Sequence, residues 1–223
     1  MVLENQMISE EEVRELAWKY YQFDGQISAL PGEVDFNFRL KNKDEDVTLK
    51  ITRAHTDPQY IDFQVAIIKH LSEGGFPLQI PEIIPVKDGR DYVDLGNGRF
   101  LRLQKWVPGM MLDEVIPRSH HLLEAWGRTA GMFSKYLTGF DHPGAHRQQK
   151  WNPSETLALK KYHPYFQTEE QKEIADYFWD LFEKTTLPQL PALRKSVNYN
   201  DAHEHNLLVS GSPEKPEING VID

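Results

Sequence analysis

Val197-Asn-Tyr-Asn-Asp201-Ala-His-Glu-His-Asn206-Leu-Leu-Val209, followed shortly by Ile218-Asn-Gly-Val-Ile-Asp223, is the stretch from which the fold is read. Asp201 and Asn206 are separated by four residues, both stand ahead of a short apolar run, and a second apolar run ends in Asp223. The two runs, Leu207 to Val209 and Ile218 to Ile222, are short strands of a hairpin, and Val197 to Tyr199 has the same character. Pairing of the hairpin strands brings Asn206 near Asp223. A carboxylate able to take or orient a hydroxyl proton, with an amide and a second carboxylate able to hold a hard divalent cation, is the set that phosphoryl transfer from ATP requires.

Working outward, the preceding region is helical. Leu122, Leu123, Trp126, Ala130, Phe133 and Leu137 recur at helical spacing, and a second helix over Glu169 to Lys184 is expected to bury Ile174, Tyr177, Phe178 and Leu181. A segment rich in His, Pro and Trp, Phe140 to Pro153, lies between them. Before Pro108-Gly109 the pattern is that of an antiparallel sheet of about five strands. Ile27 to Leu30 is short and apolar, Pro31-Gly32 is a turn, and Val34, Phe36, Phe38 and Leu40 alternate with polar residues. Val47, Leu49 and Ile51 form the apolar face of the next strand, which turns Lys50 to the opposite face. Asp57-Pro58 opens an inserted helix with Ile61, Val65, Ile68 and Leu71 as its stripe. Short strands near Glu82 to Val86 and Asp91 to Leu95, then Arg99 to Val107, complete the sheet. An earlier helix begins at Ser9, with Glu12 in capping-box position and Val13, Leu16, Tyr20 and Tyr21 on one face.

The 223 residues suffice for a substantial core, and 39% hydrophobic with 26% charged residues is a globular composition. A net charge of -9 argues against partners that present phosphate backbones or anionic membrane, and suits a cationic small molecule. The absence of cysteine excludes disulfides, thiolate zinc sites and a cysteine nucleophile, and fits a reducing compartment. No apolar run reaches membrane-spanning length and the N-terminus lacks a signal-peptide pattern, so a cytoplasmic location is expected.

The catalytic-loop segment resembles that of the aminoglycoside phosphotransferase and choline kinase superfamily, whose pattern is His-Gly-Asp, four residues, Asn, and a hairpin ending in Asp. Upstream, Leu30-Pro-Gly-Glu-Val-Asp-Phe-Asn-Phe-Arg39, Leu49-Lys50-Ile51, Trp106-Val-Pro-Gly109 and Gly139-Phe-Asp-His-Pro143 resemble the hydroxylysine kinase branch and the phosphotransferase domain fused to class III aminotransferases. The resemblance implies an α+β, protein-kinase-like two-lobed fold, with an ATP-binding lobe over 1–105 and a helical lobe over 106–223. It implies Asp201 as the catalytic base, Asn206 and Asp223 as magnesium ligands, and Lys50 as the lysine on the ATP phosphates. The turn around Gly32 would cover those phosphates, and Gln104, Trp106 and Val107 would border adenine. ATP and Mg2+ are the implied cofactors, and the acceptor is a small, amine-bearing alcohol.

Four departures from the pattern bear on this. Tyr199-Asn200 stands where His-Gly is usual, and Gln64 where a helix glutamate usually pairs with the lysine. The chain ends at Asp223, and the family's later helices are absent, which implies a piece of a longer protein with exposed apolar surface. These features keep open a second class of function, a nucleotide-binding or regulatory module impaired in catalysis. The bland readings are a solvated strand lysine for Lys50, turn and cap residues for Asp201 and Asn206, and a surface residue for Gln64. His203 and His205 lack a third ligand for zinc and read as loop histidines. His120 and His121 read as surface, His142 with Trp151 as pocket border or packing, and Trp126 and Phe133 as core.

Overall fold

The computed structural model describes residues 8–147, 152–212 and 215–222. They fall into two compact units, Met1–Ala145 with Val197–Asp223, and His146–Ser196.

In the first unit, α1 (Glu10–Tyr21) starts where Ser9 accepts a hydrogen bond from the Glu12 backbone, at 3.2 Å, and three acidic residues fill its positive end. Its Val13 and Ala17 lie under one face of a sheet built from β1 (Gln26–Leu30), β2 (Phe36–Lys41) and β3 (Asp46–Ile51). After α2 (Pro58–Glu73) come β4 (Ile83–Ile84), β5 (Val93–Gly96) and β6 (Arg99–Lys105). The order is β1-β2-β3-β6-β4, with β5 also on β6, and every pairing is antiparallel. Phe38, Leu40, Val47, Leu49, Ile51, Leu101 and Leu103 share the face that meets α1. The alternation turns Asn37, Lys50, Phe100, Arg102 and Gln104 to the other face. There α2, capped by Asp57 with Pro58 in its first turn, packs Ile61 and Val65 on Phe100.

The other end of α2 belongs to a second cluster. Leu71 packs with Leu122 and Phe133 of α3 (His120–Tyr136), and with Leu207, Val209, Ile218 and Val221 of a hairpin. That hairpin is β8 (Leu207–Ser212) on β9 (Lys215–Val221), with β7 (Met110–Met111) on its other edge. The linker after α2 is stitched to it: the Gln79 N–H donates to Asn219 O and the Val221 N–H to Gln79 O, both at 2.9 Å. One helix therefore packs on both the sheet and the hairpin.

The second unit contains a 3₁₀ segment, Pro153–Tyr165, and α4 (Glu169–Leu181), whose Thr168 and Gln171 form a complete capping box. Trp179 is its buried residue, in ring contact with His163 and Phe166.

Three expectations are corrected. Val34 lies outside β2 and is exposed. Residues 197–199 form no strand, because Tyr199 is held by its side chain: the ring lies 4.4 Å from that of Phe133 and the hydroxyl donates to Ile222 O. Ile174, Tyr177, Phe178 and Leu181 are exposed, since α4 turns its largest ring, Trp179, onto the 3₁₀ segment instead. No helix among the described residues is long and apolar enough to cross a membrane.

Candidate active site

The loop ahead of β8 is held by its own backbone. The His203 N–H donates to Asp201 O at 2.8 Å and the Asn206 N–H to His203 O at 3.0 Å, while the Ile222 N–H closes on Asn206 O at 2.9 Å. The Trp126 indole N–H of α3 donates to Ala202 O. Trp126, expected as core, is half-buried and holds this loop with its polar edge.

Within that frame Asp201 and Asn206 meet. Asn206, buried at 8% exposure, donates from Nδ2 to the Asp201 carboxylate Oδ2 at 3.0 Å and to its backbone O at 3.1 Å. The Asp201 side chain is 73% exposed, so one oxygen is oriented by the amide while the group faces solvent. His203 Nε2 lies 3.6 Å from the same Oδ2, and His205 Nε2 lies 3.6 Å from Asp113 Oδ2. Each loop histidine thus faces a carboxylate. The Glu204 carboxyl is held below its ordinary range, first by a hydrogen bond from its own backbone N–H. With Nδ2 of Asn206 committed to Asp201, its Oδ1 is the hard oxygen the amide has for a divalent cation. Asp223 lies outside the described residues, as does Trp151.

Lys50 is buried at 7% exposure on the α2 side of the sheet, opposite Asn37 on β2 and Arg102 on β6. A solvated strand lysine would not be so enclosed. Gly32 sits where a Cβ would approach Asn37 Nδ2 to 2.4 Å and Asp35 O to 2.5 Å, so only glycine fits this turn. Asn37 Nδ2 donates to Pro31 O at 3.1 Å and closes the turn. Gln64 comes from α2 with its Oε1 buried and without a hydrogen-bond partner.

The residues expected near adenine have structural neighbours. Gln104 is buried and donates from Nε2 to Pro81 O at 3.2 Å. The Arg39 guanidinium lies 3.9 Å from the Trp106 ring centre and also donates to Asp46 at 2.8 and 2.6 Å. Those bonds hold the Asp46 carboxyl below its ordinary range. Val107 is buried so close to β9 that a Cβ on Gly220 would lie 2.5 Å from its Cγ1. A cleft of about 310 Å³ is lined by Trp106 and Val107 with residues following α2, among them Phe76 and Leu78. Lys50, Asp201 and Asn206 do not line it.

Sequence reasoning passed over Asp35 and Arg102. The Arg102 side chain is 4% exposed and that of Asp35 10%, and Nη2 donates to Oδ2 at 3.0 Å. The available signal was parity: Arg102 stands two residues before Gln104, on the face shared with Lys50.

The model of the phosphotransferase enzyme family matches residues 26–223. The chain is 31% identical over 225 residues to hydroxylysine kinase of Xenopus laevis, covering 88% of this chain and 59% of that protein. It therefore spans about three-fifths of the length of that curated relative. Its backbone is similar to the amicoumacin kinase hAmiN in complex with AMP-PNP, Ca2+ and Ami, with a TM-score of 0.68 and 20% identity over 96% of this chain and 62% of that one. The microcompartment-associated aminopropanol kinase gives a TM-score of 0.65 at 16% identity, over 96% of this chain and 69% of that one. At these identities the likeness concerns the fold, a protein-kinase-like combination of antiparallel sheet and helices. The relative agrees with the resemblance to the hydroxylysine kinase branch carried by residues 30–39 and 106–109. With that match spanning residues 26–223, which take in β1, the Asp201 loop and the hairpin, the chain belongs to the phosphotransferase enzyme family.

Proposed function

We propose that this chain carries the nucleotide-binding face and catalytic loop of a small-molecule kinase that transfers the γ-phosphate of ATP to the hydroxyl of a small, amine-bearing metabolite. The hydrogen bond from Asn206 to Asp201 carries the reading. It ties the candidate base to the candidate cation ligand and leaves the Asp201 carboxylate open to a substrate hydroxyl.

In this reading Asp201 accepts the proton of the attacking hydroxyl, and Asn206 fixes the direction of its carboxylate. Lys50, in its low-dielectric setting, offsets charge on the phosphates more effectively than an exposed lysine would. Asn206, with Asp223 by the family resemblance, would hold magnesium, which when bound neutralises phosphate charge. No covalent intermediate is required, since positioning and electrostatics supply phosphoryl transfer. Asp201, Glu204 and Asp113 give the loop region negative charge, which suits a cationic acceptor. ATP-binding and helical lobes meeting at residues 105 and 106, with Gln104, Trp106 and Val107 near adenine, complete the proposal. The setting is cytoplasmic, and neither nucleic acid nor membrane is a partner.

The test measures ATP binding and phosphate transfer to amino alcohols and hydroxylysine, for the chain and for Asp201→Asn. Transfer should be lost in the variant while nucleotide binding persists. Equal loss of both would overturn the assignment of Asp201. Gln64 favours a second reading, because a neutral amide orients Lys50 without neutralising it. In that reading the chain binds nucleotide but does not turn it over, and ATP binding without transfer to any acceptor would select it.

A further inference from the structure

Buried polar atoms without hydrogen-bond partners are few in native folds, and each calls for an explanation. Among the described residues several such atoms gather on one face of the first sheet. Arg102 contributes two donors, Nε and Nη1, and Asn37 contributes the acceptor Oδ1. Gln64, on the helix packed against that face, contributes Oε1. Asn37 and Arg102 are the cross-strand neighbours of Lys50 on its two sides.

Arg102 is the unusual member. It is 3% exposed on the central strand β6, directly opposite a second cation, Lys50, in antiparallel register. Such a pair places the two Cβ atoms about 5 Å apart, and like charges in that relation repel. Asp35 meets only part of the guanidinium, at Nη2. A buried cation whose remaining donors face the side of the sheet that carries Lys50 is half of an anion site. Asp35 leads directly into β2 from the Gly32 turn, so the same ion pair fastens that turn beside the two cations.

We propose that Arg102 is a second cationic contact of the nucleotide's phosphate chain, beside Lys50. Nη2 stays on Asp35, and Nε and Nη1 take phosphate oxygens. The inference rests on the nucleotide-binding reading above and adds to it a phosphate-binding residue. Asp35 is a positioning residue: it orients the guanidinium and does not touch the nucleotide. Of the atoms named, the two Arg102 donors are the ones a phosphate can satisfy, since its oxygens accept.

The experiment compares ATP, inorganic tripolyphosphate and adenosine as ligands of the unaltered chain, Arg102→Lys, Arg102→Met and Lys50→Met. Arg102→Lys keeps a charge against Asp35 and removes the unmet donors. It should weaken ATP and tripolyphosphate by about tenfold or more and leave adenosine unchanged, as expected for loss of charge-assisted hydrogen bonds. Arg102→Met should act in the same direction and more strongly. A measurement without substitution runs beside these: the side-chain Nε–H resonance of Arg102 should shift on adding tripolyphosphate and stay in place on adding adenosine. An unmoved resonance, or unchanged ATP affinity in Arg102→Lys, overturns the role of Arg102. If Lys50→Met alone loses ATP, that role falls while the nucleotide-binding reading stands. If the unaltered chain has no preference for ATP over adenosine, both fall.

Discussion

The two halves of the candidate site hold their charges under opposite conditions. At the head of the hairpin, the Asp201 carboxylate is largely in water, with one neutral amide bound to it. On the sheet, Lys50, Arg102 and Asp35 are enclosed, and the Asp35–Arg102 pair is made where water hardly reaches. A charge in water is cheap to hold and cheap to remove, so its replacement reports on chemistry. An enclosed charge is held only by its partners, so its replacement disturbs the fold and the chemistry together. In the proposed reading, a solvent-facing carboxylate takes the proton at one end and an enclosed set of charges meets the phosphates at the other.

The contrast can be broken at several points. Asp201→Asn should lower phosphate transfer by about 10²- to 10⁴-fold, the usual contribution of a positioned acid or base, with an unchanged melting temperature. A melting temperature that falls with activity would show that Asp201 is structural. Arg102→Met should do the reverse first and cost about 3–5 kcal/mol in chemical denaturation, because Asp35 is left buried and unpaired. Asp35→Asn with Arg102→Met should recover part of that loss, which a double-mutant cycle measures.

Smaller effects sharpen the comparison away from the site. Asp46 is partly buried and bonded to Arg39, and Asp46→Asn should cost about 1 kcal/mol at neutral pH. Its folded carboxyl titrates below the ordinary value because Arg39 donates to it. The contribution is therefore complete above the unfolded value, about 3.9, and is lost as pH falls through the lower folded one. Thermal melts of the two proteins should converge as the pH is lowered through that window. At the bottom of the scale, Phe178→Ser on the exposed face of α4 should change stability by no more than about 0.5 kcal/mol, by the same denaturation measurement.

How much of this was legible follows from the distance in sequence over which each feature is assembled. Asp201 and Asn206 belong to one loop, and their spacing with the apolar runs behind them announces the hairpin directly. The face of Lys50 follows from alternation within a single strand. The Asp35–Arg102 pair joins residues 67 apart, and it exists only because β3 and β6 pair in one particular register after a helix and two strands have intervened. No local pattern encodes that register. α3 and α4 show the complementary limit. Both carry apolar stripes, and the stripe marks which side favours burial without naming what will cover it. Phe133 finds the hairpin cluster, whereas Ile174, Tyr177 and Phe178 lie exposed. Trp126 has the spacing of a core residue, and its ring packs while its N–H holds Ala202, a double use that hydrophobicity alone does not register.

The stitch at Gln79 has a consequence for motion. Its N–H and its carbonyl are both engaged with β9, so the segment that leaves α2 behaves as one more rung of the hairpin ladder. Opening that rung frees the amide hydrogens of Gln79 and Val221 together, so the two should exchange as one unit whose protection reports on how the segment leaving α2 holds to β9.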